Sequence, residues 1–263
     1  MEDTHISLAH GNGGRFMREL INEIFARHLS NPDLDIQADA VPLALPGSNI
    51  MFTTDGFTVQ PLEFPGGNIG SLAVHGTTND LAVAGACPKY LSLNAFIEEG
   101  LEIAVLERII KTLADTARAI DVQADAVPLA LQGSDIMFTT DGFTVQPLEF
   151  PGGNIGSLAV HGTTNDLAVA GATPKYLSLN AFIEEGLEIA VLERIIKTLA
   201  DSARAIDVQV VAGDTKVLRR GEGGGLYLAT TGVGIRGSHT LGLDRIREGD
   251  AILVSGPVGD HGI

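Results

Sequence analysis

Tryptophan is absent from this sequence, and cysteine occurs only once, as Cys87. A single cysteine excludes an internal disulfide and any metal site that needs several cysteines. Positive charge is also scarce, because 17 lysines and arginines stand against 33 acidic residues and leave a formal net charge of −16. With no basic patch rich in aromatic residues, a nucleic-acid partner or an anionic membrane surface is disfavoured.

Long apolar runs are missing as well. No stretch of about 18 apolar residues occurs, and residues 1–5 are acidic and polar, unlike the start of a secretory signal peptide. We therefore expect a cytoplasmic protein that neither spans nor binds a membrane. Hydrophobic residues make up 44% of the 263 positions, which is enough for a buried core and argues against disorder.

What the sequence does contain is a long internal repeat. Residues 38–123 recur as residues 124–209, at a constant offset of 86 positions. The two copies, called copy one and copy two below, differ only at Pro46/Gln132, Asn49/Asp135, Cys87/Thr173 and Thr116/Ser202. Old duplications inside natural folds diverge much further. A recent tandem duplication, an assembly error or an engineered chain is therefore favoured over a selected two-lobed scaffold.

Hydrophobic periodicity predicts an alternation of strands and helices. A helix should run from Phe16 to Leu29. Each copy should then form a buried strand, a Gly-rich helix, a second strand and an amphipathic helix. In copy one these lie at about residues 50–54, 68–85, 90–97 and 101–120, with Asn68 as the N-cap of the first helix. Two more strands, at 208–212 and 226–233, follow copy two only.

These elements suggest three divisions of the chain. Residues 1–123 hold the N-terminal helix and copy one, and residues 124–249 hold copy two with the remaining strands. Residues 250–263 begin a further strand, which we interpret as the truncated start of a second domain. Copy one has no following strands of its own, so an unpaired sheet edge would remain unless it pairs within the chain or with another chain.

Three aspartates stand where a carboxylate can reach a ligand. Asp55 and Asp214 each follow an apolar strand, and Asp80 lies in the Gly-rich helix. Such carboxylates can hold Mg²⁺, which prefers oxygen ligands and bridges substrate phosphates. Each aspartate alone is more simply a turn residue or a cap, but the three together favour a metal–phosphate site. Lys216 is a candidate to neutralise a phosphate, with a plain surface position as the alternative.

Glycine-rich loops precede two of the predicted helices. They read His-Gly-Asn-Gly-Gly at residues 10–14 and Pro-Gly-Gly-Asn at residues 65–68. Backbone N–H groups of such loops can bind phosphates. Neither loop has the spacing of a Walker or dinucleotide-binding motif, so each alone is weak evidence and is usually only a turn.

Five motifs together resemble a known family. They are Leu-Ala-His-Gly-Asn-Gly-Gly (residues 8–14), Phe-Pro-Gly-Gly-Asn-Ile-Gly (64–70), Gly-Thr-Thr-Asn-Asp (76–80), Gly-Asp-Thr-Lys-Val (213–217) and Ser-Gly-Pro-Val-Gly-Asp-His-Gly (255–262). In this order they resemble HypE, a hydrogenase maturation family of the AIR-synthetase-like, PurM-like ATP-binding superfamily. With the repeat counted twice, the resemblance covers essentially the whole chain.

The resemblance implies an α/β (α+β) fold, in which a PurM-like ATP-binding domain has a mixed or antiparallel sheet with helices on one face. It implies an ATP-dependent dehydration that converts a carboxamide on a C-terminal cysteine into a thiocyanate, the source of the cyanide ligands of nickel–iron hydrogenase. The implied partners are the carbamoyltransferase maturation protein, the iron-scaffold maturation proteins and a second subunit. The last gives a homodimer or, in a duplicated chain, an intrachain pseudo-dimer.

The resemblance also implies ATP and Mg²⁺ as cofactors. Carried over by motif, the nucleotide-binding residues are Asp55, Asp80, Asp141, Asp166, Asp214, Lys216, Gly66, Gly67, Gly152 and Gly153. We expect the Mg²⁺ ligands in copy two, at Asp141, Asp166 and Asp214. Asp214 occurs once, so copy one lacks a third carboxylate unless it borrows this one.

The chain departs from the family pattern in two respects. The family has one copy of the repeated block and a second domain with a terminal cysteine, whereas this sequence has two copies and ends at Ile263. We therefore expect weak or no ATP binding and no completed dehydration. The alternative is a non-catalytic scaffold or interaction module in which the copies imitate the family's dimer. A thiamine-monophosphate kinase or selenophosphate synthetase is disfavoured by residues 64–70 and 259–262.

Overall fold

The structure is a computed structural model that describes residues 3–38, 40–45, 49–122, 135–237 and 246–254. After a short 3₁₀ helix (Leu8–Gly11), one helical segment runs through α1 (Arg15–Leu20), a π-helical stretch (Ile21–Ala26) and α2 (Arg27–Leu29). This matches the helix predicted after residue 14.

Both copies form the two predicted helices, but their strands differ. Copy one contains β1 (Val41–Leu43), β2 (Ile50–Phe52), β3 (Glu63–Phe64), β4 (Gly67–Asn68), α3 (Ile69–Val83) and α4 (Ile103–Ala119). Copy two contains β5 (Ile136–Phe143), β6 (Glu149–Phe150), β7 (Gly153–Asn154), α5 (Ile155–Val169), β8 (Ala172–Glu184) and α6 (Ile189–Ala205). Two single strands follow, β9 (Gln209–Leu218) and β10 (Leu226–Arg236).

Copy two and the single strands build one four-stranded sheet. Its strand order is β5-β10-β8-β9, so the last strand of the described residues lies in the interior of the sheet. β10 is antiparallel to both β5 and β8, whereas β8 and β9 are parallel. α5 and α6 pack on one face through a shared apolar core. The predicted mixed sheet with helices on one face is confirmed.

Alternation along β8 shows how the two faces of the sheet are used. Leu177, Leu179 and Ile183 point to the helices and join the main core. Tyr176 points to the opposite face and belongs to a second apolar cluster. Each face of the sheet therefore has its own apolar covering, as expected for side chains that alternate along a strand.

The N-terminal segment packs on copy two, although it precedes copy one in the sequence. Leu20, Ile24 and Phe25 lie in the core formed with α6 and the sheet. Ile6 adds backbone hydrogen bonds, since its N–H donates to the carbonyl of Leu187 at 2.8 Å. The division that grouped the N-terminal helix with copy one is therefore corrected: β9 and the sheet, which complete this core, occur only after copy two.

Copy one covers the other face of the sheet. β1 and β2 pair as an antiparallel hairpin, and the apolar side chains Val41 and Leu43 pack against Tyr176 and Val233 in the second cluster. The hairpin thus closes the sheet face that α5 and α6 leave open.

Residues 90–97 of copy one do not lie in a β-strand, so the strand predicted there is wrong. In copy two the identical sequence lies in β8, where it pairs with β10 and β9. β9 and β10 each occur once, and both are already paired with strands of copy two. Without a central partner this segment of copy one has no ladder to join. As a result Ile97 is 54% exposed, whereas its equivalent Ile183 is 0% exposed.

Equivalent residues of the two copies meet each other. Phe52 lies beside Phe138 with ring centroids 6.3 Å apart, and Phe96 lies beside Phe182 at 5.4 Å. Each pair is separated by the repeat offset of 86. Contacts between equivalent positions are the signature of an interface related by two-fold symmetry.

The C-terminal region adds no helix or strand within the part that is described. Residues 246–254 form a turn and an irregular stretch. The predicted beginning of a further domain at 250–263 falls largely on residues 255–263, which lie outside the described residues.

Candidate functional site

Two carboxylates and a lysine meet where copy one lies over the edge of the sheet. Lys216 on β9 places its Nζ 2.8 Å from Oδ2 of Asp214 and 3.7 Å from Oδ1 of Asp55. The backbone N–H of Gly56 donates to Oδ2 of Asp214 at 2.8 Å. We call Asp55, Asp80, Asp214 and Lys216 the composite cluster, because copy one supplies the first two residues and β9 the last two.

The charges of the composite cluster are not balanced. Burial, followed by the hydrogen bond and negative charge of Asp214, raises the pKa of Asp55 to about 7, although the charge of Lys216 opposes this. Burial also pushes the pKa of Asp214 upward. The charge of Lys216 and hydrogen bonds from Asp55, Lys216 and Gly56 outweigh burial, so the pKa of Asp214 lies below its usual value.

The lysine responds in the complementary way. Burial alone lowers the pKa of Lys216, but the adjacent Asp214 and Asp55 more than compensate and raise it. The ammonium group therefore stays charged between two carboxylates, one of which readily takes up a proton. Such an arrangement attracts a further cation, because a second positive charge would stabilise the ionised form of Asp55.

Asp80 approaches this cluster from α3. Its Oδ2 accepts a long hydrogen bond from Thr53 Oγ1 at 3.5 Å, and its charge contributes to the raised pKa of Asp55. The close packing that brings α3 here depends on Gly76, since a Cβ at Gly76 would lie 2.6 Å from the ring of Phe57 and 3.5 Å from Asp55 Oδ2. Thus the helix and the strand end bring both aspartates to one place.

The equivalent aspartates of copy two form a separate pair. Oδ2 of Asp166 accepts from Thr139 at 3.3 Å, and the Gly142 N–H donates to Oδ1 of Asp141 at 3.0 Å. Burial, and to a lesser degree the charge of Asp166, raises the pKa of Asp141, while the bond from Gly142 opposes the rise. This pair repeats the threonine contact of copy one, but the glycine N–H here donates to Asp141 itself, and no counterpart of Asp214 or Lys216 lies beside the pair among the described residues.

The structure does not bring Asp141, Asp166 and Asp214 together, so the expected copy-two metal set is corrected. Asp141 lies on β5 and Asp214 on β9, at opposite edges of the four-stranded sheet. Three strand spacings separate them by about 14 Å. They also face opposite ways: Asp141 lies against Gly162 of α5, whereas Asp214 faces copy one through Gly56.

The Gly-Gly loops form tight turns before α3 and α5. Gly66 and Gly152 adopt φ values of +96° and +94°, which favour glycine. Gly67 and Gly153 then lead into the caps Asn68 and Asn154, as predicted for Asn68. The Gly-Gly loop before α3 is some distance from the cluster. Asp55 contacts α3 at Gly76, seven residues or about 10 Å of helical rise after Ile69, where the helix begins. The structure places these glycines in the turn that precedes each N-cap, and their phosphate role stays a prediction.

Asn180 is a part of this region that the sequence reasoning missed. Its Nδ2 donates to the carbonyl of Asp55 at 3.3 Å, and its Oδ1 accepts from Thr54 at 3.1 Å. On the other side of the interface, Asn94 lies against Gly142. Asn94 and Asn180 are equivalent positions, so the asparagine of each copy lies beside the Asp-Gly pair of the other copy, and Asn180 also hydrogen-bonds to it. The side-chain amide in a largely apolar stretch of β8 was the available signal.

A partly apolar cleft opens beside the cluster. It lies between the N-terminal helix, the segment before β1 and the strands β8 and β9. Ile21, Phe25 and Val41 supply apolar walls, and Asp214 and Thr215 lie at its polar end. The apolar walls of the cleft fit a planar apolar group, and its acidic end would accept an anionic group only together with a cation.

Across the described ranges, no three histidine, cysteine or acidic side chains are grouped closely enough to hold a metal ion by themselves. None of the helices in the described part of the chain is long and apolar enough to cross a membrane.

Curated relatives confirm the resemblance to HypE. The chain is 51% identical over 129 residues to carbamoyl dehydratase HypE of Bradyrhizobium diazoefficiens, covering 49% of this chain and 37% of that protein. It is 48% identical over 146 residues to HypE of Azotobacter vinelandii, covering 55% and 42%. A putative hydrogenase expression/formation protein of Methanocaldococcus jannaschii is 38% identical over 169 residues, covering 64% and 50%. The chain therefore spans half or less of each relative's length.

Solved structures agree. The hydrogenase maturation protein HypE in complex with ATP is similar with a TM-score of 0.53 and 28% identity, over 87% of this chain and 42% of that one. The family model of the AIR synthase related protein, N-terminal domain, matches twice, at residues 37–125 and 123–236. Since these matches cover well over half of the sequence, the chain belongs to the AIR synthase related protein family.

Proposed function

We propose that this chain is a HypE-like hydrogenase maturation protein that binds ATP at the composite cluster. The observation that carries the proposal is the position of Lys216 between Asp55 and Asp214. A nucleoside triphosphate needs a positive charge near its phosphates and oxygen ligands for its metal ion. Lys216 can supply the charge, and the two carboxylates can supply the oxygen ligands. The similar HypE structure that contains ATP supports the choice of ligand.

The donor chemistry of the cluster fits Mg²⁺. Mg²⁺ takes oxygen ligands, and proteins usually supply only one or two carboxylates while phosphates and water supply the rest. Asp55 and Asp214 would be those carboxylates, with Asp80 available nearby, and Lys216 would turn to a phosphate. A cation held by these carboxylates would supply positive charge to the phosphates and would favour the ionised form of Asp55, whose pKa is now raised by burial and by Asp214.

The cleft beside Asp214 is the proposed place of the base. Its apolar walls, which include Ile21, Phe25 and Val41, would cover a planar ring. Its polar end at Asp214 is part of the cluster, so a nucleotide could span both without a change in the sheet. The glycines of the two Gly-Gly loops, among them Gly66 and Gly152, are further candidates for phosphate contacts.

ATP-dependent dehydration of a carboxamide to a thiocyanate is the reaction that the family resemblance suggests. We propose that these 263 residues bind ATP but do not complete that reaction alone. The reaction needs a cysteine to carry the carbamoyl group, and Cys87 is the single cysteine in the sequence. Cys87 is exposed just after α3, and its equivalent in copy two is Thr173. Nitrile formation on the protein, detected by mass spectrometry after incubation with ATP, carbamoyl phosphate and the carbamoyltransferase, would contradict this.

We further propose that the two copies form an intrachain pseudo-dimer. This is the arrangement expected for a scaffold in which the copies imitate the family's dimer. The contacts between equivalent residues, Phe52 with Phe138 and Phe96 with Phe182, favour it. Because the hairpin of copy one already covers the sheet face, a second chain has no access there. Sedimentation of the purified chain should give a monomer of 27.5 kDa at micromolar concentration. A stable dimer that is lost on changing Phe96 to aspartate would argue against intrachain pairing.

The carbamoyltransferase and the iron-scaffold maturation proteins remain the proposed partners. They follow from the family resemblance. A single-copy relative has no second copy of the block, so the exposed surface of copy one would be the main difference that such a partner meets on this chain.

The repeat provides a matched control for the ATP site. Asp55 and Asp141 have the same neighbours in sequence, but only Asp55 lies beside Asp214 and Lys216. Titration calorimetry with Mg²⁺–ATP should show one site per chain. Asp55→Asn should weaken binding by about ten- to a hundredfold, since a charged ligand contact contributes about 1.5–3 kcal/mol. Asp141→Asn should change it less than about threefold. Equal losses, or a larger loss from Asp141→Asn, would place the site in copy two.

A further inference from the structure

The surface of α4 in copy one has the same chemistry as a surface that is occupied elsewhere in the chain. α4 and α6 have the same sequence except for Thr116 and Ser202. α6 is covered by the N-terminal segment, residues 4–29, through the core described above. Within the part of the chain that the structure describes, α4 has no such cover, and its apolar positions show the difference. Ile103 is 75% exposed whereas Ile189 is 7% exposed, and Ile110 is 41% exposed whereas Ile196 is 0% exposed.

The contacts that hold the N-terminal segment on copy two have counterparts in copy one. The N–H of Ile189 donates to the carbonyl of Thr4 at 2.9 Å, and the N–H of Gly186 donates to the carbonyl of Ile6 at 2.8 Å. Arg27 pairs with Glu193. The equivalent positions in copy one, Gly100, Ile103 and Glu107, carry identical residues.

The backbone before the helix is also preset in both copies. Gly100 and Gly186 have φ values of +95° and +99°, and the caps Glu102 and Glu188 have nearly the same dihedral angles. Copy one therefore presents the turn, the apolar stripe and the carboxylate in the arrangement that binds residues 4–29 on copy two.

One part of the occupied site is missing in copy one. On copy two, Asn31 also donates to the carbonyl of Val210 on β9 at 2.8 Å, and the 3₁₀ helix packs on β9, where Gly11 lies against Val217. β9 occurs once. The chain's own N-terminal segment therefore prefers α6, and α4 is left as a weaker second site with the same specificity.

We infer that the exposed face of α4, with Ile103, Glu107 and Ile110, is a docking surface for the N-terminal segment of a second copy of this chain. An amphipathic helix with the apolar positions of residues 20–25 and an arginine after them matches its stripe and its carboxylate. In the intact molecule each segment is held on its own α6, so self-association through α4 depends on release of that segment. This inference is independent of nucleotide binding.

The direct test uses the intact chain and a synthetic peptide of residues 3–31 with a fluorescent label. Anisotropy should show one bound peptide per chain. Ile103→Asp should weaken binding by more than about tenfold, because a largely apolar contact is lost. Folding should be unaffected, because Ile103 is exposed in the free protein. Glu107→Lys should weaken binding by up to about fivefold, the range of an exposed charge pair.

The repeat again provides the control. Glu193→Lys removes the partner of Arg27 on α6, loosens the chain's own segment and should leave peptide affinity for α4 unchanged. It should increase concentration-dependent self-association in sedimentation experiments, and adding Ile103→Asp should abolish that increase. Peptide binding that is insensitive to Ile103→Asp, or that is lost with Glu193→Lys alone, would overturn the inference, because the peptide would then be exchanging with the segment on α6.

Discussion

Replacing Asp55 by asparagine should stabilise the ligand-free protein above neutral pH. This carboxyl group is mostly buried beside Asp214, and its pKa rises from 3.8 to about 7. An acid with a higher pKa in the folded state binds its proton more tightly when folded. Its contribution to stability is therefore complete below pH 3.8 and is lost as the pH rises through about 7.

The magnitude follows from the size of that rise. Moving the pKa from 3.8 to about 7 corresponds to about 4 kcal/mol of stability lost by pH 8. Asp214 acts in the opposite sense. Its lowered pKa gives stability that is present above its unfolded pKa and lost only at acid pH, so Asp55 dominates between pH 5 and 8. That rise already includes the attraction to Lys216. An asparagine still buries a polar amide at this position, which offsets part of the gain. We therefore expect a gain of about 2 kcal/mol at pH 8, or about 4–8 °C in Tm for a chain of this size.

Thermal melts followed by circular dichroism at pH 5 and pH 8 measure this effect. The gain in Tm for Asp55→Asn should be large at pH 8 and small at pH 5. Asp141→Asn is the matched control and should gain less, because no second carboxylate like Asp214 lies beside Asp141. Added Mg²⁺ at pH 8 should raise the Tm of the unaltered chain more than that of Asp55→Asn. A gain of equal size at both pH values would refute the reasoning, because it would not come from titration of Asp55.

Two further predictions compare equivalent positions of the copies. Ile183→Ala should lower the free energy of unfolding, measured in urea, by about 2–4 kcal/mol, because the side chain is fully buried. Ile97→Ala should lower it by less than about 0.5 kcal/mol. Similar losses would show that copy one is packed as tightly as copy two. Asn154→Ala and Asn68→Ala each remove an N-cap worth about 1 kcal/mol. Amide exchange should report faster opening of α5 or α3 respectively, and unchanged exchange would show that the caps are dispensable.

The helices could be predicted from the sequence because their information is local. Asn68 caps α3, and apolar residues at helical spacing define α4. The same local signals occur in copy two, and α5 and α6 form there with the same bounds relative to the repeat. Local capping and periodicity are sufficient for these elements because a helix satisfies its own backbone hydrogen bonds.

The strands could not be predicted in the same way. Residues 90–97 and 176–183 have identical sequences, yet only the latter lie in a strand. A strand needs a partner to satisfy its backbone groups, and the partner β10 lies far away in the sequence and exists once. The difference between the copies is therefore set by which copy obtains β10, a choice that no local pattern encodes.

The site shows the same limitation. The residue types at Asp55, Asp80, Asp214 and Lys216 were identified from strand ends and glycines, but not their grouping. Asp214 follows copy two in the sequence, so proximity along the chain favoured Asp141 as its neighbour. In the structure Asp214 faces copy one instead, because it lies on the sheet face opposite to α5. Sequence order gave no indication of which face of β9 the aspartate would use.

The number of proposed sites per chain follows from β9 and not from the number of copies. A complete cluster needs two parts. One copy supplies an aspartate after a strand and an aspartate on a helix, and β9 supplies Asp214 and Lys216 on the face that this copy covers. Both copies provide a strand end and a helix, Asp55 with Asp80 and Asp141 with Asp166, but the chain has one β9 and hence one Asp214 and one Lys216. Two single-copy subunits arranged in the same way would have two β9 strands and two clusters. In the proposed arrangement, duplication of the block without β9 therefore gives one composite cluster and one acidic pair that lacks Asp214 and Lys216. The copy that is not part of the four-stranded sheet supplies Asp55 and Asp80 to that cluster.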